Sequence, residues 1–400
     1  MLRHLLKLTW KRKSRNLLLS AEILLAFLIV FAIAATGVRY WQLYDKPLGF
    51  QYQDVWAVQL QPPNGNQLGR TEGMHEQFVR ALQSMPQVEN VGITTFPLFQ
   101  DASMVSRIAL ADGSRSVRAN MIEASDQFWA TLGMPLAAGR WPSVQDEGAD
   151  ALATVITRRM AQELFPDGSP LGQVIRAEAS NPTEAQRFRV VGVVEDFRSH
   201  GEFMAPRAFM LYRYVPMAGN KMQMTLLLKV RPGTPRAFEP ELQRQLKQVR
   251  NDWAFTINPL AELRASQLTM ALVPLKVLGV IAAFLLAMVC FGLFGVLWQN
   301  TTRRIPEIGL RRAVGASAGA IYRQIVAEQL LLSSLAMAAG LALLVQLPLT
   351  GALGEALDWG VFAGGAALSM AVIYLLSLLC SLYPGWRASR LHPAMALHYE

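Results

Sequence analysis

Cysteine is the first scarcity: two in 400 residues. Both, Cys290 and Cys380, fall inside long apolar runs, so the globular part of the chain has none and must be held by packing without a disulfide. The dipeptide Gly-Lys occurs nowhere, which excludes a phosphate-binding loop of the form G-x-x-x-x-G-K-[ST] from this sequence. His4, His75, His200, His392 and His398 show no H-E-x-x-H pattern and no metal-ligand spacing. "GASAG" at 315–319 matches G-x-S-x-G. That hydrolase elbow needs a strand before it, however, and here a helical pattern precedes it, so Ser317 is read as a helix cap. Glu195 and Asp196 are adjacent carboxylates at a predicted strand end and are read as turn or pairing residues. No catalytic constellation is visible, and the chain is expected to be no enzyme and to bind no cofactor or metal itself. Charged residues are also few, 17% against 52% hydrophobic, which is too apolar for an ordinary soluble enzyme.

The apolar residues concentrate in four runs, Leu17–Gly37, Val273–Trp298, Ile325–Leu347 and Val361–Tyr383. Each reaches the ~20 residues that a helix needs to cross a ~30 Å hydrocarbon core. The first run is longer than the ~7–15 residues of a signal-peptide core and is interrupted by Glu22, so it reads as an uncleaved anchor. Between runs one and two lies a stretch of ordinary globular composition, large enough to bury its own core. The expected fold is a membrane protein of four transmembrane α-helices with a large α+β, two-lobed extracytoplasmic domain between helices 1 and 2. The expected layout is a basic N-terminus (1–16), helix 1 (17–38), the large domain (39–270), helix 2 (271–298) and a loop (299–324). Helix 3 (325–347), an outer loop (348–360), helix 4 (361–383) and a C-terminus (384–400) complete it. Thirteen Lys and Arg against Glu307 and Glu400 crowd the termini and the 299–324 loop, while the large domain is nearly balanced. Short basic segments stay in the cytoplasm, so both termini and that loop are expected inside and the large domain outside. The high net charge is thus an orientation signal, not a nucleic-acid footprint. Trp10, Tyr40, Trp41, Trp298, Trp359, Tyr383 and Trp386 fall at the expected membrane interfaces, as an aromatic belt does.

Within the large domain, strands are predicted at Val55–Leu60, Val88–Phe96, Arg107–Leu110 and Val117–Ile122, with Asp112-Gly113 as a hairpin turn. Helices are predicted over Glu72–Met85, where Phe78, Val79 and Leu82 share a face, and after Ser125 as a cap. A second group, beginning with "ALATVIT" and "RRMAQELF", continues through strands at Gln173–Ala177, "RFRVVGVVEDF", Ala208–Tyr214 and Thr225–Val230 to a helix near Pro235–Arg250. The two groups are read as the two lobes. Leu260–Lys276 is helical in pattern and leads into the second run, with Pro274 as a potential kink; it is either a lever or a rigid connector.

The 305–317 loop is the most informative segment. Pro306 suits a first helical turn, Glu307 lies at the positive end of that helix's dipole and four residues before Arg311, and Gly315 is a stop signal. Ile305, Ile308, Leu310 and Val314 supply apolar surface. The residues alone leave two readings, an interfacial helix anchored by arginines to anionic lipid and a docking helix. Glu22 and Glu328 lie inside spans, where an acid is costly unless paired or snorkelling. They either tie span packing to the loop, through Arg323 or Arg15, or reach inner-surface water. Gly360, Gly364 and Ser369 suit close helix packing in run four, internally or against a second subunit.

"RRIPEIGLRRAVGASAGAIYRQIVAEQLLL" resembles the signature of MacB/FtsX-type permeases of ABC transporters. Glu307, Ile308, Gly309, Arg311, Arg312, Ala313, Gly315, Ala316 and Ser317 match it, as do Ile321, Gln324 and Glu328; Pro306 departs from the usual pattern. "FWATLGMPLAAGRWPSVQD", "VITRRMAQELFPDGSPLGQVI" and "FRVVGVVEDFRSHG" resemble the periplasmic core domain of MacB-type permeases, and "LHPAMALHYE" resembles the family's C-terminal ending. The resemblance implies that Ile305, Glu307–Ala313 (with Leu310) and Gly315–Ser317 form a coupling helix that docks on a separate ATPase. ATP and Mg would be used by that partner, since the sequence carries one four-span unit and no ATPase of its own. A second copy or a paralogous permease, and a periplasmic adaptor protein, are further implied partners, at a bacterial inner membrane. Export, lipoprotein extraction and FtsX-like signalling to an extracytoplasmic partner are all functions of such permeases. The large outer domain favours the MacB type.

Overall fold

The computed structural model describes residues 13–63, 73–100, 104–178, 186–214 and 224–389. The C-terminal "LHPAMALHYE" and the basic residues before Lys13 lie outside the described residues, as do the side chains of Lys13 and Arg15. The chain divides into two compact units, Leu43–Ala271 and the combination of the first 42 residues with Leu272–Glu400.

The first unit is built on one eleven-stranded sheet. Helix α1 (Lys13–Tyr44) precedes it, and the chain then runs β1 (Val55–Gln61), α2 (Met74–Gln83), β2 (Val88–Thr94), β3 (Met104–Leu110), β4 (Ser116–Ala124) and α3 (Phe128–Thr131). It continues through β5 (Leu136–Gly139), β6 (Leu152–Thr157), α4 (Arg158–Leu164), β7 (Val174–Ala177), β8 (Arg187–Val194) and β9 (Phe209–Arg213). Strand β10 (Thr225–Val230), α5 (Glu239–Val249) and β11 (Ala254–Pro259) complete it.

Two lobes share that sheet, and they do not follow the two groups predicted from sequence. The first lobe comes from the ends of the segment: β11, β1, β10 and β2 pair antiparallel in that order, with β1–α2–β2 and β10–α5–β11 as its two halves. This is a split βαβ arrangement. Alternation along its strands explains why it has two buried faces. Trp56, Val58 and Leu60 enter one core with Phe78 and Leu82 of α2 and Leu242 and Leu246 of α5. Val55 and Ala57 turn to the other, with Phe128, Trp129 and Phe197. The second lobe is inserted between β2 and β10. In it β4, β3, β7, β8, β6 and β9 pair in sequence, and a parallel β4–β9 pairing closes the ring. Ile108, Met121, Ile156, Phe188 and Met210 fill its interior, together with Met160 and Leu164 of α4. Residues 104–124 therefore belong with the second lobe although they sit in the first sequence group. Only Thr94↔Ala124 pairs β2 with β4 at the seam between lobes.

Local details follow the residue chemistry. Asp112 Oδ1 accepts from both Ser114 N and Ser114 Oγ, and Gly113 takes φ +74°, which makes the tight β3–β4 turn. Ser125 differs from expectation. Its Oγ accepts from Ile93 N on β2, and Gln127 rather than Ser125 precedes α3. The strand's open N–H competes successfully for the hydroxyl. Strands β5 and β11 were not predicted.

One buried arginine organises the loop after β8. Arg198 is fully buried; its Nη1 donates to Lys46 O at 2.7 Å and its Nε to Met204 O at 3.0 Å. Burial pushes its proton affinity below the ordinary arginine value, against the opposing pull of Glu202 and Asp196. Glu202 in turn accepts from Arg264, whose guanidinium lies over the Tyr52 ring. The chain entering the sheet domain and the helix leaving it thus meet on the same loop.

Among the described residues, the second unit contains four helices long and apolar enough to cross a membrane. They are α1, α6 (Leu260–Arg303), α8 (Ala318–Leu344) and α10 (Trp359–Ser389); the short helices α7 (Ile305–Ala313) and α9 (Gln346–Thr350) flank α8. Helix α6 begins in the sheet domain and runs unbroken for 44 residues through Pro274. Small residues set the packing around α1. A Cβ on Gly340 of α8 would meet the Phe27 ring at 2.6 Å, and one on Gly365 of α10 would meet Ala35 backbone at 3.0 Å. Gly364 faces Val38, so this face of α10 is covered within the chain. Ser369 donates to Gly365 O in its own helix. Between α8 and α10, Ser333 and Ser377 hydroxyls lie 2.7 Å apart, and Ser334 and Tyr374 hydroxyls 2.8 Å apart.

Candidate functional site: the 304–328 segment

Helix α7 is delimited at both ends by the residues expected to do so. Pro306 stands in its first turn, where its missing N–H costs no hydrogen bond. At the other end Ala316 N donates to Arg311 O and Gly315 N to Arg312 O, while Gly315 takes φ +103°. That double bond pattern around a left-handed glycine is a Schellman stop. Two residues on, Ser317 Oγ accepts from Ala320 N at 3.2 Å and starts α8.

The helix has two distinct faces. Ile308, 6% exposed, packs with Ile321 and Ile325 and fastens α7 to the first turns of α8, and Gly309 is buried beside it. On the other face, Glu307, Leu310, Arg311 and Val314 follow the i, i+3, i+4, i+7 spacing of one helical side. Leu310 is 59% exposed and Val314 83%. Ile305 is half-buried, and Ala313 and Ser317 are exposed.

A chain of alternating acids and donors crosses from α7 into α8. Glu307 Oε1 accepts from Arg311 Nη2 at 2.6 Å, and Arg311 Nη1 donates to Gln324 Oε1 at 2.9 Å. Gln324 Nε2 donates to Glu328 Oε1 at 2.9 Å, and Arg304 Nη1 donates to Glu328 Oε2 at 2.8 Å. Five residues are thus joined end to end. The intramembrane acid Glu328 is paired, but by Arg304 and not by Arg323. Arg323 precedes Glu328 by five residues, which places it ~140° around the helix, whereas Arg304 approaches from the start of α7. Sequence reasoning gave Arg304 no role, although it stands three residues before Glu307 at the start of the segment that resembles the permease signature. Gln324 was marked as a motif position without a role.

Glu22 is not part of this chain. It lies on α1 against α6, with Oε2 2.7 Å from where a Cβ on Gly292 would stand. Glycine at 292 makes room for the carboxylate. That Oε2 is buried and has no hydrogen-bond partner among the described residues. Nearby on α6, Trp298 stacks on Tyr383 of α10, and the Arg387 guanidinium lies 4.2 Å over the Trp298 ring.

Comparison with known proteins covers both units. Residues 23–245 match the family model of the MacB-like periplasmic core domain, and 279–393 match the FtsX-like permease C-terminal model. Among curated relatives, the macrolide export ATP-binding/permease protein MacB of Bdellovibrio bacteriovorus is 29% identical over 66% of this chain and 41% of its own length. The protein of the same name from Agrobacterium fabrum is 25% identical over 97% of this chain and 59% of its own. The Bacillus subtilis ABC transporter permease YknZ is 22% identical over 69% of each. The chain spans about half the length of the MacB relatives it matches. The solved periplasmic region of MacB from Actinobacillus actinomycetemcomitans aligns with a TM-score of 0.39 at 16% identity, covering 56% of this chain and 97% of that one. With its sheet domain on one family model and its later helices on the other, the chain belongs to the MacB/FtsX family of ABC transporter permeases.

Proposed function

We propose that this chain is the permease subunit of a MacB-like exporter, driven by a separate cytoplasmic ATPase that docks on α7. In this reading two copies, or this chain and a paralogue, form the membrane part, with both termini and α7 in the cytoplasm. ATP hydrolysis in the partner displaces α7, the helices carry the displacement across the membrane, and substrate is handled by the sheet domain outside it. The observation that carries the reading is the exposed α7 face. Leu310 and Val314 stand uncovered between Glu307 and Arg311, a mixed apolar and charged surface of the kind that protein interfaces bury. The attachment of α7 supports transmission. A helix held only by flexible links would absorb a push, whereas the Ile308–Ile321–Ile325 contact and the Glu307–Arg311–Gln324–Glu328–Arg304 chain bind α7 to α8. Helix α6, ~66 Å long at 1.5 Å per residue, supplies an unbroken path toward the sheet domain.

The test is the charge reversal Glu307→Lys with Arg311→Glu. It keeps an i, i+4 ion pair inside α7, and although Arg311 no longer donates to Gln324, the Ile308–Ile321–Ile325 contact still fastens the helix to α8. A partner surface matched to the original order of charges meets like charges instead. Purification of the tagged wild type in mild detergent is expected to bring down a Walker A-containing ATPase. The reversed variant is expected to insert and fold normally and to lose that ATPase. Retained association would remove α7 as the docking element.

A further inference from the structure

The two cysteines of the sequence, 90 positions apart, meet in the fold. Cys290 Sγ on α6 and Cys380 Sγ on α10 are 3.1 Å apart, and Cys380 Sγ also reaches the Cys290 carbonyl at 3.7 Å. Both are free thiols. About 1 Å of further approach would bring the sulfurs to the ~2.05 Å of a disulfide. Their surroundings are apolar: Val289, Leu293 and Ile373 belong to the same buried cluster. The two thiols are unequal in access, Cys380 buried and Cys290 half-buried. An alanine would fill either position, but two sulfurs in contact have a two-electron chemistry that alanine lacks.

We propose that Cys290 and Cys380 form an oxidative modification site, closed to a disulfide by an organic hydroperoxide that partitions into the lipid phase. The half-buried Cys290 reacts first. Its sulfur takes the terminal oxygen of ROOH, the O–O bond breaks, ROH leaves, and Cys290 becomes a sulfenic acid. Cys380 then attacks that sulfur. The S–S bond forms, the S–O bond breaks, and the thiol proton leaves with the hydroxyl as water. Overall, two thiols and ROOH give one disulfide, ROH and water. A lipid-soluble oxidant is required because the pair sits in a span, away from aqueous oxidants. The product joins α6 to α10 covalently, and a dithiol reductant restores both thiols. Arrest of any movement of α6 against α10 during transport rests on the reading above; the chemistry does not.

The experiment uses the full chain in phospholipid nanodiscs, treated with cumene hydroperoxide, quenched, denatured and alkylated with N-ethylmaleimide for intact mass analysis. The expected result is a monomer that loses two hydrogens and takes no maleimide, returning to two adducts after dithiothreitol. Cys380→Ser is expected to trap dimedone at Cys290, while Cys290→Ser traps far less at Cys380. The chain's methionines report oxidant delivery. If Met288 on the same helix becomes a sulfoxide while both cysteines still take maleimide, or if the disulfide forms only between chains, the proposal is overturned. Preferential dimedone labelling at Cys380 overturns the order of attack.

Discussion

The sheet domain and the four-helix region differ in what they bury beside their aliphatic side chains. In the sheet domain the deepest side chains are large: Phe78, Phe128, Phe188, Phe197, Phe209 and Trp253 are almost completely enclosed. In the helix region the enclosed set includes Ser333, Ser369, Ser377 and Ser381, with Gly340 and Gly365 in close approach, while Phe284, Phe291, Leu375 and Leu379 face outward. Large side chains are enclosed there as well, among them Ile23, Phe27 and Phe31 of α1, Leu293 of α6, Met337 of α8 and Ile373 of α10. Water expels aromatic rings into the core of the first, whereas lipid tails are as apolar as leucine and give no such drive to the second. Helices in lipid associate through close backbone approach and hydroxyl bonds instead. The same residue type therefore has a different energetic meaning in the two regions.

The sharpest break in that comparison is expected at glycines. Gly49 has φ +85°, and a Cβ there would lie 1.7 Å from the Asp196 carbonyl oxygen, which is fixed backbone. Gly49→Ala should destabilise the sheet domain by more than about 3 kcal/mol, since strain and clash add. Gly340→Ala meets side chains rather than backbone, the Phe27 ring and Leu24 Cδ1, and should cost about 1–3 kcal/mol. Chemical denaturation of the full chain in detergent, read separately by fluorescence and by helical content, distinguishes them; equal losses would undo the contrast. Close to Gly49→Ala in size is Phe188→Ala, at roughly 3 kcal/mol or more for a fully enclosed ring in a water-driven core. Phe27→Ala should cost less than Phe188→Ala, because lipid or a neighbour can refill the space. A larger loss at Phe27 would mean that burial in the spans is not governed by lipid as argued.

Legibility followed the range of the interactions. Helix α7, its proline start, its glycine stop and the Ser317 cap are set within a few residues, and the sequence showed each of them. The Asp112-Gly113 turn was visible for the same reason. The lobes were not, because β1 pairs with β10 across roughly 170 positions and no local signal marks that partnership. Strand β11, "AFTINP", ends in proline and carries polar residues, so its period-2 pattern is weak. The partner of Glu328 was missed for the same reason: five residues of helix turn Arg323 away, and only the fold brings Arg304 across. The Cys290–Cys380 contact is equally non-local.

A smaller effect separates the regions by pH. His75 lies in the sheet domain with Nδ1 2.9 Å from the Tyr214 hydroxyl, and burial holds its proton affinity below the ordinary 6.5, outweighing the pull of Glu76. Burial also pushes Tyr214 up to about 12, so its hydroxyl stays protonated throughout. Below 6.5 the unfolded chain binds a proton at His75 that the folded chain resists. Stability is therefore complete above 6.5 and declines as pH falls toward the lower folded value. The melting midpoint of the sheet domain should drop across that window, and His75→Phe should flatten the drop. Asp146 adds a second loss further down, below 3.8, where the Arg140 hydrogen bonds that depress it are protonated away. A midpoint unchanged between neutral pH and 5 would exclude His75 as a contributor.

The smallest expected effect lies at the α7–α8 junction. Ser317 Oγ satisfies one of the free N–H groups that open α8, and its removal in Ser317→Ala should cost about 1 kcal/mol. The loss should stay local, because Ile308, Ile321 and the Arg311–Gln324 bond still hold α7 against α8. Hydrogen exchange at the first-turn amides of α8 should then quicken about fivefold, which is the same ~1 kcal/mol expressed as a rate, with the overall melting midpoint unmoved. Ser317→Asp should slow exchange back, since a carboxylate accepts the same bond and adds a favourable charge at the helix start. If Ser317→Ala instead loosened α7 as a whole, the cap would be setting the angle between the two helices. The alternating chain from Glu307 to Arg304 would then be a consequence of that angle rather than what holds it.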